Sequence, residues 1–155
     1  MYAMAKWLYL IALVVWVGEV AFFSFVTAPS LFRTFPAPDA GRAVGAILPT
    51  YYVLGSVCGA VLLLTTVILL GSSAARLWWS INALVVAVML AATFYAGGRI
   101  QPRAAALRPQ LHEPTTSQAI KDDFDRLHRQ AVVLNSVVLL GGIVVTIITA
   151  ASLRP

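Results

Sequence analysis

The chain has 155 residues, 60% of them hydrophobic and 11% charged, with 11 Lys and Arg against 6 Asp and Glu. A soluble domain carries about 25% charged residues, so this composition excludes an ordinary soluble fold and, with a mean hydropathy of +0.86, puts the chain in lipid. The net charge of +5 comes without the basic, groove-reading surface of a nucleic-acid binder, and a lone Cys58 excludes a disulfide framework.

The fold class expected is an all-α integral membrane four-helix bundle, running up-down-up-down within a single transmembrane domain. Trp7 to Phe32 is apolar apart from Glu19, and Ala43 to Ala75, Leu77 to Gly98 and Gln130 to Leu153 hold no charge at all. Each exceeds the roughly 20 residues a helix needs to cross about 30 Å of hydrocarbon. Continuous apolar runs also argue against a barrel of short alternating strands. The first run is too long for the h-region of a signal peptide and is read as a retained helix.

Helix 1 is expected over residues 6–32, with Trp7 and Tyr9 as interfacial anchors and Pro29 kinking or ending it. A compact turn with Pro36, Pro38 and Gly41 follows, and Asp39 is expected to cap helix 2. Helix 2 is expected over 43–70. It carries Pro49, the Tyr51-Tyr52 pair and a Gly55-x-x-x-Gly59 spacing that invites close helix approach. Gly71-Ser72-Ser73 reads as a short turn. Helix 3, over 75–98, starts with a Trp78-Trp79 belt and carries Ala83, Ala87 and Ala91 as a small-residue packing stripe. Arg99 to Asp123 reads as the one sizeable polar connection. Thr115-x-x-Gln118 then reads as a capping box opening helix 4 over 117–152.

Eight of the eleven Lys and Arg residues (Arg33, Arg42, Arg99, Arg103, Arg108, Lys121, Arg126 and Arg129) fall on the first and third connections. Lys6, Arg76 and Arg154 fall on the opposite side. The positive-inside rule then places both termini on the non-cytoplasmic side. A multi-pass protein of the cell membrane is expected, with a bacterial inner membrane as the reference case.

Glu19 marks a polar focus. A carboxylate near the middle of a membrane helix costs about 2.5–3.5 kcal/mol on insertion scales, so it normally faces a partner, cavity or path. On helix 4, His128, Val132 and Asn135 share a face by i, i+4, i+7 spacing. At about 1.5 Å per residue, Glu19 and Asn135 lie at comparable depth, roughly 20 Å and 14 Å from the cytoplasmic ends of their helices. His128 lies nearer the interface, and Tyr51 or Tyr52 can reach between. Glu19, Tyr51, Tyr52, His128 and Asn135 are therefore the candidate polar intramembrane site. The plainer readings are an interhelical hydrogen bond for Asn135, an interfacial contact for His128 and a snorkelling anchor for Arg129.

No catalytic motif is present: no HExxH, no CxxC, no phosphate-binding Gly loop. One His and one intramembrane carboxylate fall short of a metal shell, so neither an enzyme nor a metal site is expected. His128 is the one residue suited to an axial contact with haem or a pigment.

Two stretches together carry a family resemblance. Trp16 to Arg33 (WVGEVAFFSFVTAPSLFR), followed by Ala46 to Tyr52 (AILPTYY), and Phe124-Asp-Arg-Leu-His128 followed by Asn135 resemble the transmembrane-protein-205-like family. More distantly, the chain resembles the membrane domain of copper-resistance D proteins. The resemblance implies a four-helix membrane domain of unknown function whose matched positions are Pro29, Phe32, Arg33, Pro49, Tyr51, Tyr52, His128 and Asn135. Glu19 is not among them.

Two functions are thus expected. One is handling of a small solute or ion through a polar intramembrane cavity. The alternative is a non-catalytic accessory subunit of a larger membrane complex, contacting haem or pigment through His128. Either way the chain is expected to work as a homo-oligomer or within a larger complex.

Overall fold

A computed structural model describes residues 2–71, 76–113 and 115–152. They form four long helices: α1 (Tyr2–Thr34), α2 (Ala37–Leu70), α3 (Arg76–Leu107) and α4 (Gln118–Ser152). All four are long and apolar enough to cross a bilayer, which makes this a multi-pass membrane protein. The expected turn at Ser72-Ser73 and the charge of Arg154 lie outside the described residues.

Packing at the two ends fixes the directions. Tyr9 at the start of α1 meets Trp79 near the start of α3 and Thr149 near the end of α4. Trp16 of α1 meets Gly59 and Gly55 of α2, and Phe23, farther along α1, meets Tyr51, earlier in α2 and bonded to Asn135 near the middle of α4. Neighbouring helices therefore run in alternating directions. Sequential neighbours pack along their lengths, whereas α1 and α4 adjoin mainly through the part of α1 before Phe23. At the other end, which carries the α1–α2 and α3–α4 connections, these two helices stand apart.

Two prolines explain local geometry that the sequence reading took differently. Pro29 does not end α1. A π-helical turn, Phe23–Thr27, precedes it, and the Ala28 N–H reaches back five residues to the Phe23 carbonyl. The same device recurs in α3, where Ala96–Ile100 form a π turn, Gln101 N–H bonds to the Ala96 carbonyl and Pro102 follows. In both cases the wide turn comes immediately before the residue that lacks an N–H, so the chain continues as a helix where a regular one would break. Because α3 continues to Leu107, the connection expected over 99–123 shrinks to residues 108–117, which include a short 3-10 turn, Gln110–His112.

Other expectations are corrected. Asp39 is not a cap: α2 already begins at Ala37, and Asp39 sits in its first turn, paired with Arg42. The capping box is not formed either; α4 starts at Gln118, whose amide donates to Asp122 at 2.9 Å. Tyr9 is not an interfacial anchor but a core residue, 1% exposed, while Trp7 beside it is 68% exposed. Of the Trp78-Trp79 belt, only Trp78 faces outward. The buried stripe of α3 runs through Asn82, Val86, Met89 and Ala92, leaving Ala91 exposed and Ala83 and Ala87 half-buried.

The Gly55–Gly59 spacing is used by a side chain rather than by a second backbone. A Cβ on Gly59 would meet Trp16 Cη2 and Leu90 Cδ1, each at 2.7 Å, and one on Gly55 would meet Trp16 Nε1 at 3.0 Å. The two glycines open a slot in α2 that the Trp16 indole fills. Trp16 is thereby 1% exposed and belongs to the same buried core as Val20, Leu62, Val86 and Val145.

Candidate functional site

A cavity of about 730 Å³ occupies the connection end, where α1 and α4 stand apart. This is the size range of small-molecule sites, about 300–1,000 Å³. Its walls are mainly apolar, with Phe23, Phe25 and Phe32 from α1, Val44 and Leu48 from α2, Ile100 from α3, and Leu127, Val132 and Leu139 from α4. Ser24 and Phe23 belong to the first π turn and Ile100 to the second, so both irregular turns contribute to the lining. π turns are frequent at functional sites for this reason: the extra residue re-aims its neighbours.

Polar groups gather at the inner end. Tyr51 donates its hydroxyl hydrogen to Asn135 Oδ1. Asn135 Nδ2 donates in turn to Ser24 Oγ at 2.8 Å. One side chain of α4 is thus tied to α2 and to α1, and all three residues line the cavity. Tyr52 also lines it, its ring edge-on to that of Tyr51 at 5.2 Å between centroids. It is held from behind by Gly97, where a Cβ would lie 2.7 Å from Tyr52 Cβ.

At the mouth stand two nitrogen bases. His128 is exposed and its ring stacks parallel to that of Phe124, one turn earlier, with centroids 6.5 Å apart. It makes no hydrogen bond among the described residues. Arg108, just beyond the end of α3, is half-buried in the lining with its guanidinium lying over Gly45 of α2, where any Cβ would collide with it. Burial lowers its pKa from the ordinary arginine value by desolvation, but a guanidinium stays charged at any physiological pH. The ion pairs among the described residues, Arg42–Asp39 and Arg126–Asp123, do not involve it.

Of the five residues singled out from the sequence, Tyr51, Tyr52, His128 and Asn135 line this one cavity. Glu19 does not. Asn135 bonds to Ser24, five positions farther along α1. Glu19 sits within electrostatic reach of Tyr51 and Cys58, half-buried, with Oε2 enclosed and without a hydrogen-bond partner. Sequence reasoning missed Ser24, a single hydroxyl in an apolar run, and it counted Arg108 only as a topology charge.

It also missed a second polar set at the far end of the bundle. Thr149 donates its hydroxyl to the Val145 carbonyl at 2.7 Å, so the 2.6 Å contact between Tyr9 and Thr149 is donated by Tyr9. Asn82 Nδ2 donates to the Tyr9 oxygen at 2.8 Å. A one-way relay, Asn82 to Tyr9 to Thr149 to the Val145 carbonyl, is buried among three helices. The available signal was Asn82 itself, an amide in a charge-free membrane run. Trp16, Val20, Leu62 and Val86 are all buried in the core. A neighbouring void behind Tyr51 and Asn135 measures about 10 Å³, no more than a single water needs.

Among the described residues, no cluster of three or more His, Cys, Asp or Glu is placed to hold a metal ion. His128 offers one imidazole for a haem iron, but the lining supplies neither a second imidazole nor a sulfur opposite it. Nor does a hydrogen bond orient the ring as metal-binding histidines normally require.

Among known proteins, a family model described as a domain of unknown function (DUF4149) matches residues 11–113. The matched segment holds the slot for Trp16, both π turns, Tyr51, Tyr52 and Arg108, and stops short of α4. No curated protein and no solved structure matches the chain.

Proposed function

The chain belongs to the DUF4149 family, and from that premise we propose that it is a membrane-embedded binding protein for a small amphipathic molecule. The observation that carries this reading is the 730 Å³ cavity, apolar along its walls and polar at both ends. Tyr51, Asn135 and Ser24 offer hydrogen-bonding groups at the inner end, while His128 and Arg108 stand at the mouth. Such a lining suits a molecule with a hydrocarbon body better than a hydrated ion, which needs polar groups along its whole path. The solute-handling reading is thereby narrowed to uptake or exchange of an amphiphile at one face of the membrane. The Arg- and Lys-rich connections support assigning that face to the cytoplasm.

The resemblance to the transmembrane-protein-205-like family supports giving His128 and Asn135 a place in the site, since both lie in its matched stretches. Binding, not catalysis, is the role proposed for them. Native mass spectrometry of the detergent-purified protein with added phosphatidylcholine tests the cavity directly. Ala131 lines it, and Ala131→Trp narrows it by placing an indole in its wall. Wild type should retain amphiphile adducts and Ala131→Trp should lose most of them. Equal retention by the two proteins removes the cavity from consideration.

A second reading, an accessory subunit of a larger complex, draws on the outer faces of α1 and α4. Only 22% of the residues in the most apolar window of each are buried, against 39% for α2. A stoichiometric partner surviving purification in mild detergent would favour it, and an absorption spectrum of the same sample tests for haem or pigment at His128.

A further inference from the structure

Arg108 carries an inference about what the cavity takes. A half-buried guanidinium facing an apolar cavity is costly unless something anionic meets it. The ion pairs among the described residues leave Arg108 out: Asp39 is taken by Arg42, and Asp123 by Arg126. Its place is nevertheless built. The guanidinium lies directly over Gly45 of α2, in the space a Cβ there would occupy. Gly41, one turn earlier, also lines the cavity and extends the same shallow floor. His128 faces the cavity from α4 and brings no negative charge. The mouth therefore carries one fixed positive charge, Arg108, above an apolar chamber. The chamber's flank lies where α1 and α4 part, between Phe25 and Val132, both exposed on the bilayer-facing surface.

We propose that the cavity holds one acyl chain of an anionic phospholipid taken from the surrounding leaflet, with the lipid phosphate paired to Arg108. This rests on the amphiphile-binding reading above and adds the identity of the head group. A guanidinium matches phosphate through two parallel N–H···O bonds. The acyl chain runs down the apolar wall toward Leu139, entering sideways between α1 and α4 without crossing the bundle. The lining needs no anion partner of its own because the lipid brings one.

The test is a competition between phosphatidylglycerol and phosphatidylcholine for the purified full chain, read by native mass spectrometry. Wild type should favour phosphatidylglycerol by about fivefold, the effect of one basic residue on an anionic lipid. Arg108→Gln should abolish that preference while still retaining both lipids, and Arg108→Lys should keep part of it, which separates loss of charge from loss of fold. Both lipids carry a phosphate and differ in net charge, so an undiminished preference in Arg108→Gln overturns the pairing of Arg108 with an anionic head group and leaves the amphiphile reading standing. Loss of both lipids by Ala131→Trp upholds the chamber as the acyl site, and undiminished binding by that variant overturns both readings. Excess inorganic phosphate should fail to displace phosphatidylglycerol; displacement would overturn the lipid as the source of the anion.

Discussion

Tyr51 and Asn135 lie 84 positions apart in the chain and share a hydrogen bond across the bundle, donated by the Tyr51 hydroxyl to Asn135 Oδ1. Because Asn135 also donates to Ser24, this one amide joins three helices at the inner end of the cavity. Hydrogen bonds inside membrane proteins average about 0.6 kcal/mol and reach about 1.7, because the unfolded chain in the membrane finds other partners. A double-mutant cycle with Tyr51→Phe and Asn135→Leu, read by unfolding in mixed micelles, should give a coupling inside that range. Strict additivity of the two substitutions would mean that the bond does not hold α2 to α4.

The Trp16 slot predicts a contrast between glycines. At Gly59 a new methyl group meets the Trp16 ring and Leu90 at 2.7 Å, both packed in the core. Gly59→Ala should therefore destabilise by about 1–3 kcal/mol, the usual cost of overpacking. At Gly18, also helical, a Cβ meets nothing within 4 Å. Gly18→Ala should gain up to about 1 kcal/mol from helix propensity alone. Unfolding midpoints of the two variants should move in opposite directions. A Gly59→Ala protein as stable as wild type would show that the indole is not confined by α2.

The far-end relay predicts a second asymmetry. Tyr9→Phe removes the acceptor for Asn82 Nδ2, and Asn82 Oδ1 is already buried without a partner. The amide would be left with no bond at all at 0% exposure, a loss of about 1–3 kcal/mol. Asn82→Leu instead removes the unpartnered Oδ1 together with Nδ2 and leaves Tyr9 bonded to Thr149, so it should be close to neutral. Tyr9→Phe should thus be the more damaging change in thermal unfolding, although it deletes a single oxygen. The reverse order would show that Asn82 has another partner, such as a bound water.

The four spans were legible because bilayer thickness sets a length that no loop or soluble helix here imitates. What the sequence hid is what depends on register between helices. Asn135 and Tyr51 were both visible as polar residues in lipid, yet their bond to each other and to Ser24 follows only from how α1, α2 and α4 rotate against one another. For Pro29, the alternative that it ends helix 1 failed for a different reason. A proline is a helix breaker in a regular α-helix, and nothing in the local sequence announces the wide turn before it. Arg108 looked like one more positive charge on a connection, because α3 was expected to end near Gly98 and not at Leu107. Extending α3 by two turns is what carries Arg108 to the cavity mouth.

Glu19 is the residue whose role these relationships change most. It was the obvious polar focus of the sequence, but the cavity it was expected to serve is lined by its neighbours and not by Glu19 itself. One carboxylate oxygen is enclosed without a hydrogen bond, and no Lys, Arg or His pairs with it among the described residues. An enclosed polar atom left without a partner costs the fold about 1–3 kcal/mol. Glu19→Leu should accordingly raise stability by about 1 kcal/mol or more, and Glu19→Gln by less, because the amide keeps a polar group to satisfy. Neither should alter retention of phosphatidylglycerol, since the Tyr51–Asn135–Ser24 set and Arg108 remain in place. Unfolding in mixed micelles and native mass spectrometry on the same preparations decide the matter. Lower stability together with lost lipid would return Glu19 to the site; higher stability with lipid retained would identify it as a cost the bundle carries for a purpose separate from the cavity.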